Sequence, residues 1–131
     1  MEAGRTEAHH LAVVLNEAYS PSQPWSEQQV LTEMDSGATF MMGIYAEHPV
    51  AVLKMVPSGD QRVEFTDLGV LPIYRREGLA RELMLEGINW CAIRSKTAIT
   101  LDPGDRSELN SFFESLDFAA VDGRMTLRIT S

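Results

Sequence analysis

Residues 74–84 read YRREGLARELM: two arginines precede a glycine, a small residue follows two places on, and the spacing then turns helical. The start of a helix exposes amide N–H groups with no partner in the chain and carries about half a positive charge. Phosphate binds such an end when the side chains leave room for it. Gly78 and Ala80 leave that room, and Arg75, Arg76 and Arg81 add cationic charge to an otherwise acidic chain. The same residues also suit a plainer role, a helix begun by a flexible glycine among solvated arginines. The other reactive side chains point to no chemistry of their own. His9, His10 and His48 lack metal-ligand spacing with one another or with Cys91, and Cys91 stands at a core-like helical position that suits a buried, inert thiol.

A phosphate cradle needs a strand to deliver the loop and a helix to supply the amides. The run from Arg62 to Pro72 is apolar and β-branched enough for the strand, and a helix continues to about Arg94 with Leu79, Leu83, Ile88 and Cys91 or Ala92 as its inner stripe. Upstream, Leu11, Val14, Leu15 and Ala18 recur at helical spacing over residues 7–19. Ser26 and Gln29 have capping-box spacing for a second helix ending near Ser36. Strands follow at 39–46 and 50–56, separated by a Glu-His-Pro turn, and PSGDQ closes a hairpin onto the strand from Arg62. After the central helix come a strand at 97–102, a helix boxed by Asp105 and Glu108 that runs to about Leu116, and a closing hairpin. The order is α-α-β-β-β-α-β-α-β-β, an α/β (α+β) chain whose mixed central sheet has helices on both faces.

The length of 131 residues fits one domain spanning 1–131, since domains run to about 100–200 residues. A formal charge of −8 argues against broad nucleic-acid binding and is compatible with cationic acceptors such as amines. One cysteine allows no internal disulfide, no signal-peptide pattern opens the chain, and no apolar run approaches the length of a membrane helix. A soluble cytoplasmic protein that engages neither nucleic acid nor membrane is expected, with no metal.

The segment VEFTDLGVLPIYRREGLARELMLEGINWCAI resembles the central motif of the GNAT superfamily of acyl-CoA-dependent N-acyltransferases. Leu68, Val70 and Pro72 match its Leu-x-Val-x-Pro strand end. Tyr74 and Arg75 match its Tyr-Arg pair, and Arg75, Gly78 and Ala80 match the loop that opens the helix. The order of elements agrees over nearly the whole chain. The resemblance implies acetyl-CoA as co-substrate and an amine acceptor. Its pyrophosphate would lie on the loop amides of Arg75, Arg76, Glu77, Gly78, Leu79, Ala80 and Arg81. Its pantetheine arm and acetyl carbonyl would lie along Leu68, Gly69 and Val70. An amide donor on the carbonyl would polarise the thioester and stabilise the oxyanion. Glu64, six residues before Val70, stands where many members carry a general base, and Asp67 is the second candidate. Each also suits a bland role, Glu64 as a solvent-facing strand residue and Asp67 as a turn or bulge residue. Asp102 could face the cleft or cap a turn. No nucleophilic cysteine or serine with a base is evident, so direct attack by the amine is expected.

Two departures qualify the resemblance. Phe113 stands where the family's proton-donating tyrosine is usual; it can pack on the pantetheine arm but donates no proton. Asp117 replaces the usual glycine, and Arg106, near Asn110, falls at the usual asparagine. The family's first strand is apparently missing, because MEAGRTEAHH makes a poor strand, and an open edge would invite a homodimer. PWSEQQ resembles the subgroup that acetylates the N-termini of ribosomal proteins. Trp25 would either staple the second helix or edge the acceptor site. These features leave a second reading, a non-catalytic acyl-CoA-binding regulatory module that docks on a partner protein, and a third, a structural remnant.

Overall fold

The computed structural model describes residues 1–75, 77–103 and 109–129. Helices α1 (Ala8–Tyr19) and α2 (Glu27–Asp35) precede strands β1 (Thr39–Tyr45), β2 (His48–Pro57) and β3 (Arg62–Val70). Helix α3 (Leu79–Ile93), strand β4 (Ala98–Leu101), helix α4 (Asn110–Glu114), and strands β5 (Ala119–Val121) and β6 (Arg124–Arg128) complete the order expected from the sequence. Ser26 caps α2 by accepting a hydrogen bond from the Gln29 amide at 3.1 Å, as the capping-box spacing predicts. His48 is an exposed first residue of β2, not part of a turn, because Ala46 and Glu47 make the reversal alone with φ of 51° and 69°. Asp105 and Glu108, expected to box the fourth helix, lie outside the described residues.

The strands form one sheet in the order β1-β2-β3-β4-β6-β5, antiparallel except where β3 meets β4. Each face of the sheet carries its own core. On one face Leu11, Leu15 and Val30 of α1 and α2 pack on Phe40, Met42 and Val52. On the other, Leu83, Met84 and Cys91 of α3, with Phe113 of α4, pack on Leu53, Met55, Phe65, Leu101 and Met125. Each large apolar side chain hidden in this way contributes about 1.5–3 kcal/mol. The regular alternation of strand side chains explains why both faces need helices.

The first family strand is reduced to a bridge between Glu2 and Met41. The Ala3 amide donates to the Phe40 carbonyl and the Met42 amide to the Met1 carbonyl, each at 2.8 Å. Unpaired backbone groups on an edge take any extended partner regardless of strand propensity. Part of the β1 edge is thereby covered, which removes the premise that this stretch stands open to a second copy.

Among the described residues, no helix is long and apolar enough to cross a membrane.

Candidate active site

Strand β3 pairs with β4 only from Arg62 to Phe65, against Ala98 to Leu101. Beyond that the two part. Strand β3 continues beside β2 as far as Val70, opposite Ala51, while β4 gives way to Asp102 and Pro103. A cavity of about 790 Å³ fills the opening, bounded by β3 from Phe65 to Val70, the end of α1, the start of α3, and Leu109, Phe112 and Phe113.

A bulge controls what β3 presents there. Lys54 pairs with Asp67 but Met55 pairs with Phe65, so Thr66 is the extra residue. An extra residue reverses the side-chain alternation beyond it. Phe65 faces α3, yet so do Leu68 and Val70, while Asp67 and Gly69 turn toward α1. The Leu71 amide donates to the Val50 carbonyl at 2.9 Å. Backbone groups alternate along a strand, so those of Leu68 and Val70 point away from β2 and into the opening.

At the other end of the cavity, Gly78 caps α3 from the left-handed region, with φ of 79°. A Cβ placed on it would meet no atom of the described residues within 4 Å, which leaves open space above the loop among them. The first helical bond runs from the Glu82 amide to the Gly78 carbonyl at 3.0 Å, leaving the amides of Leu79, Ala80 and Arg81 without an intrahelical partner. Gly78, Leu79, Ala80 and Arg81 all line the cavity. The extended opening, the empty cradle and the outward amides fit a long thioester ending in phosphates.

The side chain of Arg75 is engaged on both sides of the cavity's edge. It lines the cavity, but its Nε donates to the Val70 carbonyl at 3.2 Å and its Nη2 to the Ala18 carbonyl, tying α1 to the end of β3. Its own amide bonds the Pro72 carbonyl at 3.3 Å. Glu77 is exposed and outside the lining, and Arg76 lies outside the described residues. Arg81 reaches the Ser115 hydroxyl at 3.4 Å, bridging α3 and α4.

The two candidate bases share a face of β3 but not a site. Glu64 lies outside the cavity lining and is ion-paired with Arg124 on β6. Asp67 lines the cavity. Its Oδ1 accepts from the Tyr19 hydroxyl at 2.8 Å and its Oδ2 from the Thr66 hydroxyl at 3.0 Å. Asp102 and Phe113 also line the cavity, and Phe113 packs on Phe112 and Phe118 at centroid distances of 5.4 and 6.2 Å. Arg106, expected at the family's asparagine position, lies outside the described residues.

Sequence reasoning missed a polar cluster beside Asp67. Lys54 is only 8% exposed, with its Nζ 3.3 Å from Glu33, 3.9 Å from Asp67 and 5.3 Å from the Trp25 ring centre. A lone lysine within the apolar run from Val50 to Val56 was the available signal. Tyr19, read only as the end of a helix, lines the cavity and accepts a hydrogen bond from the Trp25 indole at 3.2 Å. Partial burial pushes its phenol up to about 12; the Trp25 bond lowers it in part, and the charge and hydrogen bond of Asp67 add to the rise. Trp25 packs on the core that holds Val30, as a staple for the second helix would. Cys91 is buried, and burial pushes its thiol up to about 11, as befits an inert core residue.

The model of the GNAT acetyltransferase family matches residues 8–118. The chain belongs to that family. Solved structures share its fold along the full length. The ribosomal-protein-S18-alanine N-acetyltransferase of Escherichia coli superposes with a TM-score of 0.82 at 18% identity, covering 100% of this chain and 93% of that one. An aminoglycoside 6'-N-acetyltransferase complexed with coenzyme A gives 0.79 at 16% identity, covering 100% and 97%. The PaiA N-acetyltransferase of Thermoplasma acidophilum, in complex with coenzyme A, gives 0.74 at 10% identity, again covering 100% and 97%. No curated protein sequence matches the chain. Among the described residues no cluster of side chains could hold a metal ion.

Proposed function

We propose that this chain transfers an acetyl group from acetyl-CoA to a primary amine, on a peptide, a protein or a small molecule, by direct attack. The observation that carries the reading is the parting of β3 from β4 above the Gly78 loop. It offers a strand edge for the pantetheine arm and a helix start for the phosphates within one cavity. The family and the coenzyme A complexes among its structural neighbours support acetyl-CoA as the co-substrate.

The residues divide the work as follows. Outward amides of Leu79, Ala80 and Arg81 hold the pyrophosphate, and Gly78 keeps the approach clear. The backbone at Leu68 and Val70 bonds the pantetheine arm and the acetyl oxygen, which stabilises the charge that develops as nitrogen attacks. Phe113 packs beside the arm. Asp67 takes the proton from the amine, since it faces the cavity whereas Glu64 is held by Arg124 outside it. Arg75 acts by fixing the end of α1 rather than by contacting phosphate. The neighbours named for an S18 alanine and for an aminoglycoside carry different acceptors on one fold, so fold alone does not choose between them.

Phe113, with no hydroxyl, favours one other reading, the non-catalytic acyl-CoA-binding module. A calorimetric titration with acetyl-CoA, followed by transfer assays on a peptide with an N-terminal alanine, a lysine peptide and an aminoglycoside, separates the two. Transfer that falls about a hundredfold or more in Asp67→Asn but only slightly in Glu64→Gln supports the enzyme and this choice of base. Micromolar acetyl-CoA binding without transfer to any of the amines supports the module, and no binding up to about a millimolar, or about 4 kcal/mol, removes both.

A further inference from the structure

We infer that Tyr19 is the acid that protonates the departing thiolate, recharged by Asp67, so that one proton passes from the amine through both residues to sulfur. The inference rests on the proposed acetyl transfer. Its starting point is a gap: the family's acid position is Phe113, and yet a thiolate leaving into a largely apolar cavity needs a proton.

Three side-chain hydroxyls belong to described residues lining the cavity: Tyr19, Thr66 and Tyr74. Thr66 carries an aliphatic alcohol, too weak an acid, and it already donates to Asp67 at 3.0 Å. Tyr74 sits at the loop end of the cavity with its ring 5.2 Å from that of Tyr45, and among the described residues no carboxylate is bonded to it. Tyr19 differs on both counts. Its ring lies over Gly69, with Cδ1 and Cε1 each 3.6 Å from where a Cβ of that residue would be, beside the strand segment that would hold the thioester. Its hydroxyl bonds Asp67 at 2.8 Å, and the Trp25 indole donates to its oxygen at 3.2 Å, where it would steady growing negative charge. Lys54 and Glu33 are the other charged groups of the cluster, and Arg75 fixes the backbone at Ala18 next to it.

The step balances. The lone pair of a neutral amine bonds to the thioester carbonyl carbon, and the C–S bond breaks with its electron pair on sulfur. The amine proton goes to the Asp67 carboxylate. Tyr19 gives its proton to sulfur as Asp67 returns one to the phenol oxygen. Amide and free thiol result, with both side chains restored.

The test uses the full chain, calorimetry with acetyl-CoA, and transfer to whichever of the three amines above the wild type accepts. Tyr19→Phe should lower kcat about a hundredfold while leaving acetyl-CoA affinity within about threefold. Adding Phe113→Tyr to Tyr19→Phe should restore at least tenfold of that loss by returning a hydroxyl to the usual side, which repair of a merely structural defect would not do. A Tyr19→Phe protein with kcat within about threefold of wild type and an unchanged pH profile overturns the relay while leaving the proposed transfer intact. So does a larger loss from Tyr74→Phe. A wild-type chain that binds acetyl-CoA yet acetylates none of the amines removes the transfer and the relay together.

Discussion

A Cβ on Gly69 would lie 2.8 Å from the Cβ of Ala18, closer than two such atoms approach in folded proteins. Helix α1 therefore rests directly on the backbone of β3, and Arg75 locks the contact by bonding the carbonyls of both Ala18 and Val70. The contact also sets Tyr19 against Asp67. Gly69→Ala should push the end of α1 away and cost about 1–3 kcal/mol, the usual range for forcing a methyl into a packed site. Denaturant unfolding measures the loss. Tyrosine fluorescence or amide exchange at residues 16–20 should report the looser helix end, and an unchanged midpoint would mean that α1 is free to slide.

Gly78 separates two effects that glycine substitutions usually mix. Its φ of 79° costs a residue with a Cβ about 1–2 kcal/mol, but the added Cβ would meet no atom of the described residues within 4 Å. Gly78→Asp should thus lower stability only modestly. It should reduce acetyl-CoA affinity by at least tenfold, because it puts bulk and negative charge where phosphate would sit. Calorimetry and unfolding on the same preparation check both. Equal affinity in the two proteins would leave Gly78 as a helix start and nothing more.

Much of this arrangement was legible beforehand. Leu11, Leu15 and Ala18 fixed α1 through their spacing, Ser26 and Gln29 fixed the start of α2, and Leu68 to Ala80 carried the family motif. The missed features are all products of tertiary structure. A bulge at Thr66 decides which way Asp67 faces; a bulge at Asp67 was one reading of the sequence, but its exact position and its effect on facing come from the pairing with β2. Arg75 looked like a phosphate ligand because charge is visible in a sequence, whereas the carbonyl of Ala18, its actual partner, is contributed by a helix 57 positions away. The pairing of Glu64 with Arg124 depends on β4 and β6 lying side by side, which only the strand order reveals.

Lys54 supplies a test of the cluster that the sequence concealed. It is buried between Glu33 and Asp67 beneath the Trp25 ring. Lys54→Met keeps most of the volume but leaves two carboxylates sharing a poorly hydrated space. Destabilisation of about 1–3 kcal/mol is expected, below the loss for a fully buried pair because both carboxylates reach solvent. Adding Glu33→Gln should recover part of it. A double-mutant cycle measures the coupling, and strictly additive effects would show that Lys54 is held by packing alone.

Alkaline pH should destabilise the fold in a window set by the buried Cys91 and the partly exposed Tyr19. Burial raises the Cys91 thiol from 9.0 to about 11 and the Tyr19 phenol from 10.0 to about 12. Both are neutral when protonated, so the folded chain keeps its protons while the unfolded chain releases them. Stability is full below pH 9, falls as Cys91 is drawn toward ionisation up to about 11, and falls further toward 12 through Tyr19. Unfolding midpoints of the parent and of Cys91→Ala, measured from pH 8 to 11, isolate the first step. The variant should start somewhat less stable at pH 8, since a packed thiol is lost, and should then decline less steeply. Disulfide reagents should modify Cys91 slowly in the native protein and rapidly in denaturant. Parallel pH curves for the two proteins would mean that the thiol ionises as readily in the core as in the open chain.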